Sequence, residues 1–262
     1  MMTELTVKPL STMAELHQVQ KIESAVWHMD PIPVHQTFTA LNNGGILLGA
    51  YDGALMVGYL YSFAGFKDGI SYLCSHMMGI LPAYQTSGLG VRLKLKQAEI
   101  ASRMGYRMIT WTFDPLESQN AYLNLNKLEA VGSWYKANYY GSMQDDLNQG
   151  LPSDRIHMTW DIIRSTSKPA VHFQEEYVLL DGDRYGAPVI KTAFYTADFL
   201  IDNAYFVAIP RNFQKVKQTN FELAKEWRMK TRNVFQQLFE RGFQAVDLLR
   251  SDEGYSYYVF TK

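Results

Sequence analysis

The sequence predicts an α+β fold, a mixed and mostly antiparallel sheet flanked by helices, with a smaller α+β unit after it. Three observations lead there. Two apolar runs in residues 46–64 flank Asp52-Gly53, a dipeptide suited to the positive φ angles of a tight hairpin turn. A third run, 70–80, follows the polar turn Lys67-Asp68-Gly69 and stops at Pro82, which lacks a backbone donor. Behind it, Leu89, Leu93, Ile100 and Met104 fall on one helical stripe, with Gly105 placed to end the helix.

The other elements follow from the same signals. Residues 5–7 read as a short strand, and Thr12 with Glu15 forms a capping box that opens a helix towards Trp27, broken by the segment 31–33. A β-branched and aromatic run at 107–113 ends at Asp114-Pro115, a helical stretch covers 118–130, and strands at 133–140 and 155–162 close the unit. The polar stretch 165–169 marks a border, giving domains 1–164 and 170–262. In the second domain, strand-like runs at 177–180 and 204–209 precede a long helix at 220–241 and strands at 244–249 and 255–261.

Composition narrows the classes of function. With 47% apolar and 19% charged residues the chain is a folded protein, and a net charge of −1 offers no general field for nucleic acid or an anionic membrane. No apolar run is long enough to span a bilayer and the N-terminus has no secretion signal, so the expected place is the cytoplasm. The one cysteine, Cys74, lies in a strand-like run as a structural thiol, and the histidines share no metal-ligand spacing, so no metal is expected.

The segment 80–90, Ile-Leu-Pro-Ala-Tyr-Gln-Thr-Ser-Gly-Leu-Gly, joins a strand to a helix N-terminus and packs small residues where the helix begins. Free amides of a first helical turn suit an anion, provided no side chain blocks the approach. Gly88 and Gly90 keep it open. A Gly-Lys-Ser/Thr ending and a three-glycine dinucleotide fingerprint are both missing, which demotes nucleotide triphosphatases and dehydrogenases.

Gln85-x-x-Gly88-x-Gly90 after Ile80-x-Pro82, inside this order of strands and helices, resembles the coenzyme A signature of the GNAT N-acetyltransferase superfamily, over roughly residues 4–163. The run 111–116, with Asn120-Ala121 and 124–128, also resembles a two-domain branch of uncharacterised acetyltransferases. The resemblance implies acetyl-CoA as the cosubstrate. The strand ending at Ile80 would splay from the 107–113 strand, with pantetheine pairing to backbone at Met78, Gly79 and Ile80 and the pyrophosphate resting on Gln85, Thr86, Ser87, Gly88, Leu89 and Gly90. Asn120 and Asn124, one turn apart, would reach pantetheine amides, or Asn120 caps its helix.

Acetyl transfer to an amine needs a base, a polarised carbonyl and a proton for the leaving thiolate. His76 resembles in position a histidine used for proton removal by arylalkylamine acetyltransferases, and a half-buried strand histidine bonded to Ser75 or Tyr72 is the alternative. Asp114 and Glu117 follow a strand end where a cationic substrate could bind, though Asp114 before Pro115 also suits a turn. The superfamily's Tyr-x-x-x-Gly-Phe pattern is replaced by Leu125-Asn126-Lys127-Leu128-Glu129-Ala130, so the acid is open, with Tyr122 and Tyr139 as candidates. Trp27, Tyr59, Tyr61, Phe63 and Trp111 are candidates to line an apolar acceptor pocket.

In the long helix Arg228 and Arg232 stand one turn apart, able to hold a carboxylate or phosphate, or to form salt bridges with Glu226 and Asp247. The second domain resembles the closing half of another acetyltransferase unit but lacks the glycine loop, so it is not expected to bind coenzyme A. The leading expectation is an N-acyltransferase acting on a small-molecule amine, with oligomeric state open and a homodimer compatible. The alternatives are a non-catalytic acyl-CoA-binding or protein-interaction module, and a donor other than acetyl.

Overall fold

The computed structural model describes residues 4–85, 87–143, 149–164, 168, 170–196, 204–251 and 254–262. The predicted α+β class is the observed one. The strands are β1 (Thr6–Pro9), β2 (Ile46–Asp52), β3 (Leu55–Lys67), β4 (Ile70–Ile80), β5 (Met108–Phe113), β6 (Val131–Lys136), β7 (Arg155–Asp161), β8 (Val178–Gly182), β9 (Pro188–Ile190), β10 (Tyr205–Pro210), β11 (Gln244–Arg250) and β12 (Tyr255–Thr261). The helices are α1 (Met13–Trp27), α2 (Val34–Asn42), α3 (Leu89–Arg103), α4 (Ser118–Tyr122), α5 (Thr192–Thr196), α6 (Phe213–Thr219) and α7 (Phe221–Glu240). Among the described residues no helix is long and apolar enough to cross a membrane.

The chain packs as two compact units, one of the described residues 4–111 and 160–164, the other of 112–143, 149–159 and the described residues from 168 onward. The last change of unit falls at the polar stretch 165–169, and the second unit also takes in the described residues of 112–159. Ladder pairing is the reason, because β6 pairs with β11 at Gly132↔Ala245 and so joins the middle of the chain to its end.

In the first unit β1 to β4 form an antiparallel meander and β5 adds in parallel to β4. The first hairpin turns one residue later than the dipeptide signal suggests: Asp52 pairs with Leu55, and Gly53, at φ 58°, takes the first central position with Ala54 after it. The Asp68-Gly69 turn has both φ angles positive, at 53° and 78°, as a two-residue turn between Lys67 and Ile70 requires. Helix α1 opens at Thr12, whose hydroxyl accepts from the Glu15 amide while the Glu15 carboxylate accepts from the Thr12 amide. Leu16, Val19 and Ile22 of α1 then pack on Leu47, Tyr59 and Tyr61.

The second unit orders its strands β7, β6, β11, β12, β10, β8, β9, with α7 against β6, β8, β9 and β10. Asn220 caps α7 by accepting from the Leu223 amide, and Trp227, Val234 and Leu238 are buried beneath it. The helical stretch expected over 118–130 is interrupted. Regular α4 stops at Tyr122 and a wider π-type turn, Leu123–Lys127, finishes it. Such turns insert a residue into the hydrogen-bond ladder and re-aim the side chains around them.

One glycine in β4 is a packing requirement. A Cβ at Gly79 would lie 2.9 Å from ring carbons of both Trp27 and Tyr59, whose rings meet edge to face. Gly79→Ala is therefore expected to destabilise the protein by about 1–3 kcal/mol, the range for overpacking a core. Urea denaturation with an unchanged slope and a lowered midpoint would show it, and an unchanged midpoint would refute it.

Candidate functional site

The loop after β4 is built from local hydrogen bonds. Pro82–Tyr84 forms one tight 3₁₀ turn, the Ser87 amide and hydroxyl both donate to the Tyr84 carbonyl, and Gln85 Nε2 donates to the Ile80 carbonyl at 3.1 Å. Thr86 lies outside the described residues. Gly88, at φ 75°, takes the N-cap position of α3, and among the described residues no side chain caps the helix. A left-handed residue is needed there, and glycine supplies it without a Cβ penalty. The first-turn amides, including those of Leu89 and Gly90, are left without intrahelical acceptors, and no acidic residue occupies that turn.

Strand β4 leads into this loop with one edge released. It pairs with β5 only at Leu73↔Ile109 and Cys74↔Thr110, although β4 continues to Ile80. Met78, Gly79 and Ile80 lie on this run beyond the β5 ladder. On its other side β4 stays paired to β3, but Tyr61↔Met77 is followed by Ser62↔Ser75, so His76 is the extra residue of a β-bulge. Bulges bend a strand and redirect a side chain.

His76 sits against Tyr61 and Phe63, ring centroids 6.0 and 5.6 Å away. The residue is exposed, yet enough protein gathers around the imidazole that desolvation lowers its pKa below the usual value. Cys74, half-buried, has its thiol pKa raised by burial. Of the five aromatics proposed to line a pocket, Tyr59 is fully buried and its hydroxyl donates to Glu23 Oε1 at 3.0 Å. Glu23, 2% exposed, also accepts from the Ile32 amide, and burial raises its pKa against these two bonds. Sequence reasoning missed Glu23. The available signal was a glutamate four residues after Val19, on the buried stripe of an amphipathic helix.

Two more polar residues were missed on the inner face of α3. Lys94 donates from Nζ to Ser75 Oγ at 2.8 Å and lies 3.7 Å from the centroid of the Trp111 ring. Burial pushes its pKa down to about 7, with Cys74 acting in the opposite direction. Gln97 is buried one turn further on.

The remaining predicted residues lie in the second unit. Asp114 is an ion-pair anchor: Oδ2 accepts from Arg228 Nη2 at 2.5 Å, Arg155 Nη1 is 3.7 Å away, and Oδ1 accepts from the Leu116 amide. Glu117 accepts from Gln214, and its pKa is raised by burial and then by Asp114. Tyr122 carries the Arg250 guanidinium 3.6 Å above its ring. Asn120 is exposed, whereas Asn124 is buried in the π-type turn and its carbonyl accepts from the Ala130 amide.

The partners expected for the α7 arginines are corrected. Arg228 pairs with Asp114, and Arg232 makes two bonds to Asp154, at 2.9 and 2.7 Å. Glu226 instead pairs with Lys230, and Asp247 with Lys168 and Asn126. Folding brings residues 114 and 154 under α7, which no spacing along the chain reveals. A cavity of about 800 Å³ opens in this unit, with Glu117, Gln214, Arg211, Trp227 and Tyr255 in its wall.

Among solved structures, the ribosomal-protein-S18-alanine N-acetyltransferase from Escherichia coli is 17% identical, with a TM-score of 0.50 over 65% of this chain and 100% of that one. The protein yncA of Salmonella typhimurium, described as an acetyltransferase and solved with its cofactor acetyl-CoA, is 15% identical, with a TM-score of 0.51 over 64% of this chain and 100% of that one. No family model matches the chain, and no curated protein does. Over about two thirds of its length the chain shares the fold of these two acetyltransferases.

Two stability effects follow from the buried charges. Asp114→Ala leaves Arg228, 2% exposed, without its carboxylate and is expected to cost about 3–5 kcal/mol in urea denaturation; a loss below about 1 kcal/mol would contradict the pairing. Lys94 ionises near ~10.4 when unfolded and near 7 when folded. Between these values the unfolded chain holds the extra proton, so this group makes stability rise with pH through that window, and below it the folded state carries the whole desolvation penalty. Lys94→Met should thus gain most over the parent below pH about 7 and lose that margin progressively as pH rises towards about 10. A margin independent of pH would refute the assignment.

Proposed function

We propose that the chain is an acetyl-CoA-dependent N-acyltransferase that moves the acyl group directly from the thioester to a small amine. One observation carries the reading: an uncapped helix start behind left-handed Gly88 continues from a strand whose edge is released from β5 beyond Cys74. Anion-accepting amides and a free strand edge are the two features that a pyrophosphate and an amide-bearing pantetheine arm need. In this reading residues 1–164 carry the acyl-CoA site, and the role of 170–262 is open.

His76 is the proposed base. Deprotonated, it takes one proton from the acceptor ammonium; the amine nitrogen bonds the acyl carbon, the carbon–sulfur bond breaks, and the leaving thiolate takes up the second proton that the nitrogen sheds. Backbone amides at the bulge are candidates to polarise the thioester carbonyl. Asn120 and Asn124 remain proposed pantetheine contacts. Tyr122 and Asp114 remain proposed proton-handling residues, and the bonds of Asp114 to Arg228 favour an ion-pair role for it. The second reading, a module that binds acyl-CoA without turnover, is favoured by Leu125, fully buried at the place of the superfamily tyrosine.

Calorimetric titration of coenzyme A and acetyl-CoA into the parent and Gly88→Trp tests the site, with thermal melting to show that the variant folds. Binding by the parent alone is expected, and no binding by the folded parent would sink the reading. In an amine screen, His76→Ala is expected to lower kcat/KM by about 10²–10⁴-fold. The active form of the base is neutral, so parent activity should fall as pH drops through a pKa below the usual ~6.5 and this acid limb should vanish in His76→Ala. A limb that persists would move the base elsewhere.

A further inference from the structure

The inner face of α3 holds a cation that the proposed chemistry does not use. Lys94 is 3% exposed, and no carboxylate among the described residues pairs with it. Its ammonium has three hydrogens, and Ser75 Oγ is its hydrogen-bond acceptor. One turn further along, Gln97 is completely buried, and neither its Oε1 nor its Nε2 has a partner among the described residues. A half-satisfied ammonium and, three residues on along the same helix, an unsatisfied primary amide are an unfavourable pair for an aliphatic core, where burying polar groups without partners is costly. As a receptor for a small anion the same pair is well equipped, with several N–H donors and no competing carboxylate.

The pair stands at a specific place. The β4–β5 ladder closes at Cys74↔Thr110, and the residues that Lys94 touches, Ser75 and Trp111, are the next ones along each strand. Lys94 therefore lies at the closed end of the fork. Helix α3 runs back from the 85–90 loop, so the helix start marks the open end, and the released residues 75–80 between them span about 16 Å at ~3.3 Å per residue. A thioester arm anchored at that loop and laid along β4 directs its acyl group towards Ser75 and Lys94.

Building on the acyl-CoA reading above, we infer that this cleft favours acyl groups that end in a carboxylate, of the kind in succinyl-CoA, with Lys94 Nζ and Gln97 Nε2 donating to that carboxylate. The transfer itself is unchanged: one ammonium proton goes to the base, the amine nitrogen bonds the acyl carbon, the carbon–sulfur bond breaks, and the leaving thiolate takes up the second proton that the nitrogen sheds. The distal carboxylate is not consumed. Lys94 acts as a specificity residue for the donor.

The test is calorimetric titration of coenzyme A, butyryl-CoA and succinyl-CoA into the parent, Lys94→Met and Gln97→Met, each checked by thermal melting. Butyryl-CoA carries a chain of the same carbon count without the charge. The parent is expected to bind succinyl-CoA at least ~10-fold more tightly than butyryl-CoA, as a charge-assisted contact allows. That ratio should fall to about one in Lys94→Met and to an intermediate value in Gln97→Met, which keeps the test decisive if one variant fails to fold. A parent that binds coenzyme A but prefers butyryl-CoA, or shows no preference, overturns the inference and leaves the acyl-CoA reading standing. A parent that binds none of the three overturns both.

Discussion

The early end of the β4–β5 ladder is the constraint on which the rest of the first unit depends. Backbone donors and acceptors need partners, and a strand that keeps one neighbour and loses the other presents a row of them along one edge. Here the pairing to β5 stops at Cys74↔Thr110 while pairing to β3 runs on to Gly58↔Ile80. The bulge at His76 falls within this released length, and the Gln85 side chain closes the loop on the Ile80 carbonyl at its end. Edge, bulge and helix start thus follow one another along a single stretch of chain.

Charge is handled differently in the two units. In the second, the buried Arg228 is matched by Asp114 and the half-buried Arg232 by Asp154, with Tyr135 also donating to Asp154. Removing one partner from such a pair costs more than the pair ever contributes, because the other charge stays buried. In the first unit Lys94 has a hydroxyl and an aromatic face in place of a carboxylate, and its pKa drops accordingly. The contrast makes Lys94 the residue whose burial most needs a functional reason.

The opposite face of the sheet shows a milder form of the same tension. Glu23 is held in the core by the Tyr59 hydroxyl and the Ile32 amide, and Gly79 is kept small so that Trp27 and Tyr59 can meet over it. These contacts position β4 from the α1 side, while α3 holds it from the other. The strand that carries His76 is thereby gripped on both faces.

Local rules were enough for much of this protein. Hairpins, the capping box at Thr12, the helix behind Gly88 and the order of strands in the first unit are written in turn dipeptides, caps and apolar periodicity, which act over a few residues. The loop from Gln85 to Gly90 was legible for the same reason. Tertiary structure decided the rest: that Asp114 and Asp154 lie under α7, that residues 112–159 pack with the C-terminal part, that 123–127 widen into a π-type turn, and that Glu23, Lys94 and Gln97 are buried. Each depends on which distant segment comes to cover a side chain, and neighbours along the chain carry no record of that.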